Sequence, residues 1–150
     1  MKKLNQTIVI LQKLSRTQVD RIQGYERAIQ ICDDEDLKHI FKDMIRISED
    51  LHQQLSGLLL EMGFAQEKNN TLTGKAYATW MQIKNKLLPA SQRHQVLQDC
   101  EFGEDMAQRV YSDVLSGKEK LPIDVYKLLL HQQKIMKSSY DRIHHLRNIF

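Results

Sequence analysis

The chain has 150 residues, of which 41% are hydrophobic and 27% are charged. This composition is typical of a globular chain and excludes a disordered or collagen-like one, and the length predicts a single domain over residues 1–150. The formal net charge of +3 is spread over short, scattered basic clusters, which argues against a nucleic-acid partner because such a face needs concentrated positive charge.

Hydrophobic patterning also argues against a membrane partner. No apolar run approaches the ~20 residues that span a bilayer. Met1-Lys2-Lys3 is followed by mixed residues rather than by a signal-peptide pattern, so we expect a cytoplasmic location. Cys32 and Cys100 fall on apolar helix positions, where we expect buried thiols rather than a disulfide framework.

Apolar residues at three- and four-residue steps predict four long helices. The first runs from about Leu4 to Cys32, although Ser15 and Gln18 interrupt its apolar stripe. The acidic run 33–36 should form a turn and cap the second helix, which begins near Leu37 and stops at Gly63. The third helix is predicted from Ser91 to Ser116, and the fourth from Pro122 to close to Phe150.

The segment from Phe64 to Pro89 decides the predicted topology. It contains turn residues and then a short helix, Tyr77 to Leu88, around Trp80. The other two connections are only a few residues long, which predicts two antiparallel helix hairpins. One long crossover between two hairpins is the ferritin-like arrangement, so we predict an all-α, ferritin-like four-helix bundle.

Several motifs make the chain similar to a known family. They are Gly24-Tyr25-Glu26-x-Ala28, Leu72-x-Gly74 followed by Trp80, Gly103-Glu104-Asp105-x-Ala107-x-x-x-Tyr111, and Tyr140-Asp141-Arg142-Ile143-x-x-Leu146-Arg147. Together they resemble a bacterial family of ferritin-like four-helix bundles whose function is unknown. The chain departs from that family at Tyr77-Ala78, where His-Arg is common, and at Tyr140, where His is common. The resemblance implies the fold and, loosely, a role in stress physiology.

Acids and one histidine on these helices suggest a metal site. Glu26, the pair Glu49 and His52, and Glu104 lie on three different helices. Four-helix bundles hold two metal ions with a glutamate from each of two helices and Glu-x-x-His from the other two. With the first hairpin centred near Leu37, Glu26 and Glu49 should lie at the same height. Oxygen and nitrogen ligands of this kind suit iron, manganese or zinc.

The fourth helix completes this set poorly. Glu26 and Glu104 are 78 residues apart, and the same shift from the second helix predicts ligands near Lys127 and Leu130. His131 adjoins the second position, but no acid occupies the first. Gln132 and Gln133 are weaker ligands, and Asp141-x-x-His144 lies roughly 15 Å too far along the helix.

Two functions therefore stay open. The first is a bundle with a non-catalytic or regulatory role and an incomplete metal site, in which buried polar residues fix the register of the helices and the surface recognises a partner protein. The second is a di-iron or di-manganese oxidase or metal-handling protein that uses Glu26, Glu49, His52, Glu104 and His131. The acids have the competing interpretation of solvated helix residues, and a homodimer fits either function.

Overall fold

The structure is a computed structural model that describes residues 2–64, 93–117 and 120–149. Four helices make up these ranges: α1 (Lys2–Ile31), α2 (Glu35–Glu61), α3 (Arg93–Ser116) and α4 (Ile123–Ile149). No strand occurs in the described ranges, so the all-α prediction is confirmed there, consistent with a four-helix bundle. The predicted crossover and its short helix around Trp80 lie outside the described residues.

The turn between α1 and α2 follows from its acids. The Asp34 carboxylate accepts a hydrogen bond from the Leu37 backbone N–H at 3.0 Å and so caps α2, as the acidic run predicted. Arg93, at the start of α3, donates to the other Asp34 oxygen at 2.7 Å. Asp34 therefore connects the start of α2 to the start of α3.

Gly63 ends α2 in the manner that its position predicted. Its φ of +80° lies in the left-handed region, which glycine adopts without the steric cost of a Cβ. The Gly63 N–H donates to the Leu60 carbonyl at 2.9 Å, satisfying an otherwise unpaired carbonyl of the last turn.

Each helix turns a heptad-like stripe of residues inward. On α1 and at the residue that follows it, buried positions recur at alternating steps of four and three: Thr7, Leu11, Leu14, Gln18, Arg21, Tyr25, Ala28 and Cys32. On α2 they are Leu37, Phe41, Met44, Ser48, Leu51, Leu55 and Leu59. A seven-residue spacing of this kind is typical of helices that pack side by side.

The stripes build two clusters of apolar side chains. One surrounds Tyr25 and Phe41 and contains both cysteines, which are buried free thiols, as expected. The other surrounds Leu14, Leu55 and Leu129. Helix α1 packs against α2 and α3, and α4 packs against α3 and more lightly against α2. No described helix is both long and apolar enough to cross a bilayer.

Candidate functional site in the core

A buried carboxylate, Glu104 on α3, is the centre of a polar cluster inside the bundle. One of its oxygens, Oε1, accepts hydrogen bonds from Arg21 Nε at 3.1 Å and from Arg21 Nη2 at 3.0 Å. The same oxygen accepts from the Tyr25 hydroxyl at 2.5 Å. The side chains of Arg21 and Glu104 have 0% exposure. A full ion pair thus lies in the interior, and its two residues are 83 positions apart in sequence.

The other oxygen of this carboxylate, Oε2, is also buried. It has no hydrogen-bond partner within the described part of the chain. An unpaired buried oxygen on a charged group is costly, and the three bonds at Oε1 compensate for it. The carboxylate is therefore held at one oxygen by a cation and a phenol.

From Arg21 the polar contacts continue through the core to the other helices. Arg21 Nη1 donates to Gln18 Oε1 at 2.8 Å, and Gln18 Nε2 donates to the Tyr111 hydroxyl at 2.8 Å. Tyr111 in turn donates to Gln132 Oε1 on α4 at 2.7 Å. Gln132 Nε2 reaches α2, where it donates to the Leu51 carbonyl at 3.2 Å. We call Gln18, Arg21, Tyr25, Glu104, Tyr111 and Gln132 the core network; together with the Leu51 carbonyl it joins all four helices.

Burial and the ion pair shift the pKa values of this network. Burial, followed by the Glu104 charge, raises the pKa of Tyr25 well above its ordinary value. Burial also raises the pKa of Tyr111 to about 12. For Arg21, burial alone lowers the pKa, but the neighbouring Glu104 charge offsets this and the net direction is upward. Arg21 is therefore charged and both phenols are neutral at ordinary pH, so they act as hydrogen-bond donors.

Three of the five predicted metal ligands face solvent. Glu26, Glu49 and His131 are exposed. His52 is half-buried, burial lowers its pKa, and its Nε2 has no partner among the described residues. Glu104 alone of the five is fully buried, and Arg21 and Tyr25 occupy its Oε1.

The predicted height of Glu26 and Glu49 depended on the midpoint of the first connection. The prediction placed that midpoint near Leu37, whereas α1 ends at Ile31 and α2 begins at Glu35, so that the midpoint is Asp33. Counted from Asp33, Glu26 is seven residues away and Glu49 is sixteen. The difference corresponds to roughly 14 Å along a helix, which separates the two carboxylates.

The described residues give no support to the predicted dimetal centre. No group of three or more His, Cys, Asp or Glu side chains is arranged to hold a metal ion among residues 2–64, 93–117 and 120–149. At Glu104, moreover, a guanidinium already supplies the positive charge that a bound cation would bring. Metal uptake stays a prediction for experiment, without support from this ligand set.

The sequence analysis did not identify Arg21, and it did not connect Gln18, Tyr111 and Gln132 with one another or with Glu104. The interrupted apolar stripe on the first helix could have identified Gln18 and Arg21 as inward residues, because steps of four and three from Leu11 and Leu14 lead directly to them. On α2 the same continuation from Met44 leads to Ser48 and Leu51. Glu49 and His52 each follow an inward position by one residue, and one residue rotates a side chain by about 100°.

The family model with the description "Domain of unknown function (DUF2383)" matches residues 6–117. The chain belongs to this family. The match covers α2 and α3 completely and α1 except its first four residues, and it includes every member of the core network apart from Gln132. A search of the curated proteins found no match.

Proposed function

We propose that this member of the DUF2383 family is a single-domain, ferritin-like bundle with a non-catalytic role, whose core carboxylate is neutralised by Arg21 rather than by a metal ion. The observation that carries the proposal is the pair of hydrogen bonds from Arg21 to Glu104 Oε1, at 3.1 and 3.0 Å between fully buried groups. A cation at this site would meet the Arg21 charge at close range, where a low dielectric strengthens repulsion.

Contacts between helices support the ferritin-like part of the proposal. The Tyr25 and Phe41 ring centroids lie 5.8 Å apart, Glu104 bonds both Arg21 and Tyr25, and Asp43 pairs with Arg142 at 3.5 Å. Together with the Gln132–Leu51 and Gln18–Tyr111 contacts, these pairs fit α1 running opposite to α2 and to α3, and α2 running opposite to α4. That order requires a connection along the bundle between α2 and α3, as in ferritin-like folds.

The proposed role is recognition of a partner protein through the surface, with the core network fixing the register of the helices. Buried polar groups that are satisfied only in one arrangement disfavour shifted packings. The stress-physiology setting that the family resemblance implies belongs to this proposal.

Elemental analysis of untagged protein purified without chelator tests the proposal, followed by anaerobic Fe(II) titration and by melting with and without EDTA. We expect no stoichiometric metal and the same melting temperature in both buffers, because a protein that binds metal in its native state is stabilised by it. Two metal ions per chain that are retained in the wild type and lost in Glu104→Gln or Glu49→Ala would overturn the proposal in favour of the dimetal protein.

A further inference from the structure

A cavity of about 380 Å³ lies at the end of the bundle where α1 begins and where the chain enters α4. Its lining consists of Leu4, Thr7, Lys120, Leu121 and Pro122. The volume falls within the range of roughly 300–1,000 Å³ that is usual for small-molecule sites. Leu4 is 44% exposed and Lys120 is exposed, so the cavity opens to solvent.

The walls of the cavity suit a hydrocarbon chain. Leu4, Leu121 and Pro122 supply apolar surface, and Thr7 is buried with 3% exposure. The apolar surface continues outside the cavity at Ile123, which is 69% exposed. An apolar ligand would remove this surface from water, which is the main source of affinity at apolar sites.

The mouth of the cavity favours a negatively charged head group. Lys120 lines it and makes no ion pair with the part of the chain that the structure describes. Pro122 directly precedes α4, whose N-terminal end has a partial positive charge. Asp124 lies in that first turn, but it does not line the cavity.

We propose that this cavity binds a single-chain anionic amphiphile of the long-chain fatty acid class, with its hydrocarbon chain between Leu4 and Leu121 and its carboxylate paired with Lys120. The cavity is separate from the core network, because Leu4 and Arg21 are seventeen residues apart on α1, roughly 25 Å. The inference therefore goes beyond the proposed function and does not depend on it.

Titration calorimetry of the full chain with dodecanoate, below its micelle concentration, tests the proposal. We expect saturable binding of one dodecanoate per chain. Lys120→Glu should weaken it by about tenfold or more, because an attractive charge becomes a repulsive one. Leu4→Trp should abolish binding by filling the cavity. The matched controls are Lys127→Glu on α4 and Val9→Trp on α1, which change exposed residues outside the cavity and should bind like the wild type.

Two comparisons make the result decisive, with circular dichroism verifying that each variant is folded. 1-Dodecanol, which has the same chain without the charge, should bind more weakly than dodecanoate. The proposal is overturned by a lack of saturable binding, or by equal affinities in Lys120→Glu and Lys127→Glu. It is also overturned if the protein sediments with vesicles of anionic phospholipid and does not bind free dodecanoate, since the end of the bundle that carries Lys120 would then recognise a membrane surface.

Discussion

Arg21 and Glu104 present two opposite charges that are both fully buried, with the guanidinium donating twice to one carboxylate oxygen. Removing two charges from water is expensive, and their attraction in the interior repays the cost only when additional hydrogen bonds satisfy them. Gln18 and Tyr25 provide those bonds. The pair is therefore much more sensitive to loss of one member than to loss of both.

The first prediction tests this asymmetry. Arg21→Met should lower the free energy of unfolding by about 3–5 kcal/mol, because it leaves the Glu104 charge buried and unpaired. The double variant Arg21→Met, Glu104→Leu should recover most of that loss, since no charge stays in the core. Urea denaturation measures both values.

A surface pair provides the control for this experiment. Arg109→Met removes an ion pair to Asp105 in which Arg109 is 71% exposed, and exposed pairs contribute less than about 1 kcal/mol. If Arg21→Met costs no more than Arg109→Met, the interior pair does not have the energetic role assigned to it.

A second prediction concerns Asp20 on α1, whose Oδ1 is buried without a partner among the described residues. Burial raises the pKa of this carboxyl from 3.8 to about 6, against the opposing effect of Arg16. The folded state therefore holds the proton more tightly than the unfolded state. Consequently the free energy of unfolding falls as the pH rises from 3.8 to about 6, the two pKa values of Asp20.

Asp20→Asn should remove this pH dependence. We expect it to raise the free energy of unfolding at pH 7 by about 1 kcal/mol, less than the full shift implies because the carboxyl is partly solvated. The gain should vanish near pH 3, where Asp20 is mostly protonated in both states. Urea titrations at the two pH values measure it, with exposed Asp113→Asn as the control, and an equal gain at both pH values would contradict the assignment.

At the scale of the helices, the sequence predicted the ends and the apolar inward positions of the described helices better than their polar inward positions. The acidic run, Gly63 and Pro122 mark ends through local backbone chemistry that does not depend on packing. The observed bounds of all four helices lie within about two residues of the predicted ones, a usual margin for helix ends.

The inward polar positions of α2 were less predictable than the helix ends, because polar residues lie both on the apolar stripe and next to it in sequence. The prediction of Glu49 and His52 as metal ligands rests on the chemistry of their side chains. The spacing of Met44, Leu51 and Leu55 instead places Ser48 on the inward face. A rotation of one residue thus separates the predicted ligands from the core. The periodicity of the apolar residues was the better guide than the identity of the acids.

A third prediction belongs to the ends of the helices. Asp34→Ala should lower the free energy of unfolding by about 1–2 kcal/mol, since it removes the cap on the Leu37 N–H together with the pair to Arg93. Asp34→Asn keeps a capping oxygen and should cost less. The hydrogen bond from Leu37, followed by the Arg93 contact, lowers the pKa of Asp34.

The same shift determines how this cap responds to acid. The pKa of Asp34 is lower in the folded state than in the unfolded state. Ionised Asp34 therefore stabilises the folded state above the ordinary carboxyl pKa, and this stabilisation is lost as the pH falls through the lower, folded-state pKa. Asp34→Ala should therefore approach the wild type in acid. Denaturant midpoints at neutral and acidic pH measure this, and a loss that does not depend on pH would argue against the ionised cap.

Across the whole molecule, the core network connects residues that no local pattern relates. Tyr111 lies 93 positions from Gln18 and 21 positions from Gln132, so only the packed bundle brings them together. The sequence contained these residues at inward steps, but their partners depend on how four helices are arranged. The fold was therefore more predictable than the site.

A fourth prediction tests the network as a connection between helices. Tyr111→Phe keeps the ring but removes the hydroxyl between Gln18 and Gln132, so it should cost about 1–3 kcal/mol by leaving buried amide groups unpaired. Hydrogen exchange should show faster opening of α1 and α4 together. Tyr126→Phe, at a 37% exposed tyrosine on α4, is the control, and equal effects of the two variants would contradict the connecting role.

Under the proposed function, the Arg21–Glu104 pair takes the place of a metal ion that would have to be delivered to the core. An interior neutralised by a metal is complete only after the ion has been delivered, so its stability varies with the metal supply. Here the neutralising cation is part of the polypeptide and arrives with translation. Under the proposed function, the stability of this core therefore does not vary with the supply of iron.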